Sequence, residues 1–187
     1  MKTTSDREFL SELNANGCFV ALDTETTGLS AGSNEIIEIG AVRYRNWEPV
    51  EEFSYLIRPA RPIPYFITQI TGISNAMVRD CPCFCELVDD LMEFIGEGPV
   101  VGHNIHFDYA FLCAGGAPLE SRDLKFADTM YISRKLLPKG DKIENHQLGT
   151  LCRYYGIINT NAHRATDDAK ATAMVLRGLL KDMEEIL

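Results

Sequence analysis

Three apolar, β-branched runs crowd the first third of the chain: Cys18 to Asp23, "NEIIEIGAVRYR" from Asn34, and "FSYLIRP" ending at Pro59. The links between them are shorter than the crossover that parallel neighbours need, which predicts an antiparallel meander. Beyond Pro59 the pattern changes. "PIPYFITQITGIS" reads as a proline-bounded helical turn, and "PCFCELVDDLMEFIG" sets Leu87, Leu91, Phe94 and Ile95 at helical spacing. A short strand in "GPVVGHN" precedes a glycine-closed helix in "HFDYAFLCAGG". "LKFADT" is a last strand running into the helix "MYISRKLL". "HQLGTLCRYYGI" and "ATDDAKATAMVLRGLLKDMEEIL" complete the helices. Ahead of the meander, Ser5 and Glu8 have capping-box spacing for a short helix that ends at Asn16-Gly17. A meander followed by alternation predicts an α/β fold, a five-stranded mixed sheet flanked by helices. With 187 residues the chain can bury one full core, so residues 1–187 are expected to form a single domain.

Charge and cysteine usage narrow the function classes. Twenty-seven acids against eighteen bases leave a formal charge of −9, which disfavours a protein that coats nucleic acid through a basic face. A nuclease stays open, because carboxylates that hold divalent cations count as acids in that tally. No apolar run has the length of a membrane span and the N-terminus lacks a secretory pattern, so a cytoplasmic protein is expected. The six cysteines are then expected as free thiols. "CPCFC", holding Cys81, Cys83 and Cys85, has the wrong spacing for a zinc knuckle and reads as a helix entrance with incidental thiols.

The residues with chemical potential sit where the apolar pattern is interrupted. In "FVALDTETTGLS" the first strand runs straight into Asp23 and Glu25. Residues two apart in a strand share a side, so both carboxylates should project together just past the strand's end. Like charges that close raise one another's pKa unless a cation sits between them; the alternative is a strand terminus with solvated acids. Asp108, in "VVGHNIHFDYAFL", lies on an otherwise apolar helical segment and needs a partner, yet no Arg or Lys occurs between Gly96 and Arg122. In "HRATDDA", His163 precedes the last helix and Asp168 lies in its first turns, a spacing that lets the histidine fold back over the acid.

These three segments, in this order, resemble the motifs of the DnaQ-like, DEDDh 3′→5′ exonucleases, which include the proofreading subunit and the PolC exonuclease domain of bacterial DNA polymerase III, oligoribonuclease and RNase T. "NEIIEIGAVRY", "ITGISNAMVRD" and "NHQLGTLCRYYGI" are also similar to scaffold pieces of that family, so the resemblance runs from about Cys18 into the last helix. It implies an RNase H-like exonuclease fold. It implies Asp23, Glu25, Asp108 and Asp168 as catalytic metal-binding carboxylates and His163 as general base, with Asp168 selected over Asp167 by the family's spacing. Thr26, Leu29, His103 and Phe107 match substrate-binding positions. Leu29 is either a wedge against the last base or a packing residue, and His103 either lines the nucleotide pocket or is a hydrogen-bonded strand-end histidine.

All-oxygen ligands favour Mg²⁺ or Mn²⁺ over zinc, and two such ions roughly 3.5–4 Å apart can clamp an in-line phosphodiester displacement. Histidines titrate near about 6.5, so a neutral imidazole is available near pH 7 to accept a proton from water. The expected activity is removal of nucleoside 5′-monophosphates from a single-stranded or frayed 3′ end of DNA, in proofreading or repair. The alternatives are a 3′→5′ exoribonuclease of the oligoribonuclease or RNase T kind and, in another class, a non-catalytic nucleic-acid-binding domain. A polymerase is an expected contact. The chain stops soon after the Asp168 helix, so stand-alone action or docking through the domain surface is expected rather than a C-terminal tether.

Overall fold

The computed structural model describes residues 6–137 and 143–185. Helix α1 (Arg7–Asn16) leads into β1 (Phe19–Thr26), β2 (Ile36–Arg45) and β3 (Glu48–Leu56). Helices α2 (Tyr65–Thr71), α3 (Asn75–Val78) and α4 (Phe84–Ile95) follow, then β4 (Val100–Gly102) and α5 (His106–Ala114). A single 3-10 turn at Leu119–Ser121 precedes β5 (Phe126–Asp128), α6 (Thr129–Leu136), α7 (Leu148–Tyr155) and α8 (Ala165–Glu185). The strands form one sheet in the order β3-β2-β1-β4-β5. The first three pair antiparallel, while β4 lies parallel to β1 and β5 parallel to β4. This is the expected five-stranded mixed sheet, with the expected meander on one side of β1.

Four expectations need correction. The Ser5 cap lies outside the described residues; α1 is capped instead by Asp6, whose side chain accepts from the Glu8 amide at 3.2 Å. Strand β1 does not end at Asp23 but runs on through Glu25 to Thr26, because β2 continues to pair with it: Asp23 stands opposite Gly40 and Glu25 opposite Glu38. The third change concerns the thiols. Cys83 and Cys85 are joined as a disulfide, with Cα atoms 5.4 Å apart, while Cys18, Cys81, Cys113 and Cys152 are free. Cys83 is extended as the N-cap of α4 and Cys85 lies in its first turn, which folds the two side chains together. "CPCFC" is still the entrance to α4: the Glu86 carboxylate reaches back to accept from the Cys83 amide at 2.7 Å.

Strand β3 starts at Glu48, earlier than its apolar residues suggest. Asn46 and Trp47 both adopt positive φ and make the tight turn that joins it to β2. Its first five residues are exposed, as an edge strand permits, and so carry no apolar signal.

Side-chain alternation builds one core on each face of the sheet. Val20, Leu22, Ile39, Ala41 and Phe53 pack under α4 and α5. Phe19, Ala21, Val42, Tyr44 and Val101 pack under α1, α7 and α8, with Val175, Leu176, Leu179 and Leu180 of α8 almost fully enclosed. Burying each such leucine or valine stabilises the fold by roughly 1.5–3 kcal/mol, so α8 is held firmly along its length. Ile37, Ile63, Ile67, Ile73 and Val78 form a smaller cluster that seats α2 and α3. The alternation also aims the acids: Asp23 and Glu25 continue the face of Phe19 and Ala21, towards α8, and Thr24 continues the face of Val20 and Leu22, towards α5.

Candidate active site

The end of β1 is approached from both faces. On the α5 side, Asp108 is 2% exposed and finds its partner in the strand itself. Its Oδ1 accepts from the Thr24 amide at 2.9 Å and the Thr24 hydroxyl at 2.7 Å. The missing cation for this acid is therefore replaced by two neutral donors from the residue between Asp23 and Glu25.

On the other face, the N-terminus of α8 lies against β2. Gly40 makes this approach possible, since a Cβ there would collide with the Thr166 amide nitrogen and the Ala165 carbonyl carbon. Asp168, in the first turns of α8, is 8% exposed. Its Oδ1 accepts from Asn159 Nδ2 at 2.5 Å and its Oδ2 from the His163 amide at 3.0 Å. His163 has φ +67°, a left-handed conformation uncommon for residues other than glycine. Its fold-back over Asp168 thus runs through the backbone as well as the ring.

Glu25, His163 and Asp168 each offer a ligand atom within 4.8 Å of the others. Asp23 and Asp108 lie outside that trio but share its field. Burial raises the Asp23 carboxyl well above its ordinary value, and the negative charges of Asp108, Asp168, Glu25 and Glu38 push it further. Glu25 is pushed up to about 8 by burial and then by Asp168, Glu38 and Asp108, against the pull of Arg164. Asp108 is raised by burial in spite of its Thr24 hydrogen bonds, and Asp168 by burial in spite of Asn159 and the His163 amide. Four carboxylates forced to repel across one strand end, with an imidazole beside them, make an oxygen-rich donor set that fits a hard divalent cation.

The other sequence candidates take different places. Thr26 is buried and donates its hydroxyl to the Gly28 carbonyl at 2.7 Å, closing its own turn. Leu29, on that turn, is 89% exposed. Phe107 packs its ring, tilted by 44°, against that of Phe111 at the rim of the core, with centroids 4.8 Å apart. His103 Nδ1 lies 2.8 Å from the Thr129 hydroxyl, and burial lowers the ring to about 4, which keeps it neutral. Asp167 is half-buried in the first turn of α8, outside the close trio.

Sequence reasoning missed the residues that orient this set. Thr24 and Asn159 were passed over, and so was the pair formed by Glu38 and Arg164. Glu38 is 2% exposed and is held by Arg164 through Nη2 at 2.7 Å and Nε at 3.0 Å. A signal for that pair was available: Glu38 interrupts the apolar run "IIEIGAV", and a buried acid demands a partner.

Comparison with known proteins bears on the fold and the family. An exonuclease family model, of the RNase T kind, matches residues 20–176. The chain is 38% identical over 180 residues to the PolC-type DNA polymerase III of Caldanaerobacter subterraneus subsp. tengcongensis, and 38% identical over 170 residues to that of Bacillus subtilis. These alignments cover 94% and 89% of this chain but 12% of each polymerase, so the chain spans about an eighth of the length of these curated relatives. Among solved structures, exonuclease X in complex with 5′-overhanging duplex DNA superposes with a TM-score of 0.69 at 28% identity, covering 87% of this chain and 91% of that one. Exonuclease I of E. coli in complex with a dT13 oligonucleotide shares the fold, with a TM-score of 0.76 at 18% identity over 90% of this chain and 42% of that chain. The five-stranded sheet is thus that of the RNase H-like exonucleases, and the chain belongs to the exonuclease family.

Proposed function

We propose that the chain, acting as one domain, hydrolyses DNA one nucleotide at a time from a single-stranded or frayed 3′ end and releases nucleoside 5′-monophosphates. The observation that carries this reading is the convergence of Asp23, Glu25, Asp108, Asp168 and His163, from three separated segments, on the end of β1. Asp23, Glu25 and Asp168 would hold divalent cations, Mg²⁺ or Mn²⁺, with Asp108 contributing from the opposite face. When bound, such ions neutralise the carboxylates and stabilise charge developing on the phosphate.

The chain's own residues do the rest. His163, exposed at the site's edge, accepts a proton from the attacking water. The water oxygen bonds to phosphorus, the P–O3′ bond breaks, and the departing oxygen takes up a proton to leave a new 3′-hydroxyl. The Thr26–Asn34 turn, closed by Thr26 Oγ1 to Gly28 and by the Thr27 amide to the Glu35 carbonyl at 2.9 Å, offers a rigid rim for the terminal sugar. Leu29 projects from it far enough to wedge against the last base. Phe107 adds an apolar surface beside Asp108.

DNA is favoured because a structural relative at 28% identity, exonuclease X, is in complex with overhanging duplex DNA, and the sequence relatives named above are DNA polymerases. The same relatives suggest proofreading or repair, with a polymerase as a contact. Among the described residues no helix is long and apolar enough to cross a membrane. The test is a panel of matched 5′-labelled DNA and RNA strands with Mg²⁺ or Mn²⁺. A ladder shortening from the 3′ end on DNA supports the proposal. Faster loss of RNA would move the assignment to an exoribonuclease, and no cleavage of either strand would favour a binding domain.

A further inference from the structure

The general base assigned above sits on a loop, and its surroundings show how that loop is held. His163 is exposed and left-handed, two features of a residue that needs outside support to keep one position. Two of its local restraints, the Asn159 and His163 hydrogen bonds to Asp168, tie the loop only to α8. The tie to the sheet comes from the next residue. Arg164 lays its guanidinium on Glu38 of β2, with Nη2 and Nε at 2.7 and 3.0 Å from Oε1 and Nε at 3.2 Å from Oε2. Glu38 Oε2 also accepts the Ala165 amide at 3.0 Å, so one buried carboxylate grips both the side chain of Arg164 and the backbone that follows it.

The position of this pair in the sheet matters. Glu38 stands opposite Glu25 across the β1–β2 ladder, so the carboxylate that fixes the loop is registered directly against a candidate metal ligand. The Arg164 carbonyl meanwhile accepts the Asp168 amide at 3.0 Å and so sets the first turn of α8. One residue thus links β2, the strand paired with that of Glu25, to the histidine before it and the helix bearing Asp168.

We propose that Arg164, seated on Glu38, is a positioning residue for His163: it holds the base at working distance without itself touching the substrate. This rests on the reading of His163 as the general base. A planar guanidinium gripped at two nitrogens resists rotation in a way that a lysine ammonium cannot. Displacing a catalytic group by about 1 Å costs on the order of 10²-fold in rate. Arg164→Gln is therefore expected to lower kcat by about 10²-fold with KM and Mn²⁺ affinity close to wild type. Arg164→Lys should fall between the two, and it replaces Arg164→Gln in the cycle below if the glutamine variant does not fold.

The deciding experiment is a double-mutant cycle on single-strand degradation, comparing Arg164→Gln, His163→Ala and the two together, with thermal unfolding and Mn²⁺ binding measured on each. The expected result is that Arg164→Gln has no further effect on kcat once His163 is alanine. Losses that multiply, or a KM that rises steeply with salt in Arg164→Gln, would overturn the positioning role and leave the base assignment standing. A wild-type kcat in His163→Ala would instead overturn the base assignment itself.

Discussion

Gly40→Ala is the smallest change that should damage the site from a distance. A Cβ at position 40 would lie 2.5 Å from Thr166 Cα, and nearer still to the Thr166 nitrogen and the Ala165 carbonyl carbon. Carbon atoms rest about 3.5–4 Å apart, so the start of α8 must lift by about 1 Å. All three neighbours are backbone, and no side chain can rotate away. Overpacking of this kind costs about 1–3 kcal/mol. For a chain of this size each kcal/mol lowers Tm by about 2–4 °C, giving a loss of about 2–12 °C. The lift stretches the 3.0 Å bond from Ala165 to Glu38 and carries His163 and Asp168 away from Glu25. A displacement of about 1 Å should cost about 10²-fold in turnover even among folded molecules. Thermal unfolding and initial rates on a 5′-labelled single strand, normalised to folded protein, measure the two effects separately. Gly98→Ala is the control, because a Cβ there meets nothing within 4 Å. If Gly40→Ala melts and turns over like Gly98→Ala, the close approach of α8 to β2 does not position the site.

Three further outcomes follow from the electrostatics and hydrogen bonds. Glu25 keeps its proton up to about 8 in the folded state against an ordinary 4.5. The folded state therefore holds more protons than the unfolded one between those values, and chelated protein should lose stability as pH rises from about 4.5 to 8. Melting in EDTA across that range checks this, and saturating Mn²⁺ should remove the loss. Thr24→Val takes away the 2.7 Å hydroxyl bond to Asp108 and should cost about 1.5–3 kcal/mol in denaturant unfolding at pH 8, the usual contribution of a hydrogen bond to a charged group. His163→Ala should keep oligonucleotide and Mn²⁺ binding and lose turnover by about 10²–10⁴-fold, read by calorimetry and single-turnover cleavage.

The meander, the helices and the resulting mixed sheet were legible because each depends on local periodicity that burial enforces. Strand β1 ran past its expected end because pairing with Gly40 and Glu38, a nonlocal event, extends it through polar residues. The exposed start of β3 was hidden for the related reason that an edge strand needs no apolar face. At the site, the acids were visible as interruptions of apolar runs. Their partners were not, since Thr24, Asn159 and Arg164 are ordinary polar residues until the fold brings them to Asp108, Asp168 and Glu38. The bond between Cys83 and Cys85 was missed because compartment reasoning concerns the whole chain, while their proximity is set by the turn into α4.

The role proposed for the repelling carboxylates at the end of β1 is to bind the cations that make cleavage possible. Mn²⁺ binding and 3′-end degradation of single-stranded DNA, measured on the same purified samples of wild type and Asp23→Ala, decide whether the carboxylates have that role. Wild type is expected to bind Mn²⁺ and shorten the strand in single-nucleotide steps stopped by chelator, and Asp23→Ala to lose both properties while remaining folded. Retention of the wild-type exonuclease rate by Asp23→Ala would contradict that role.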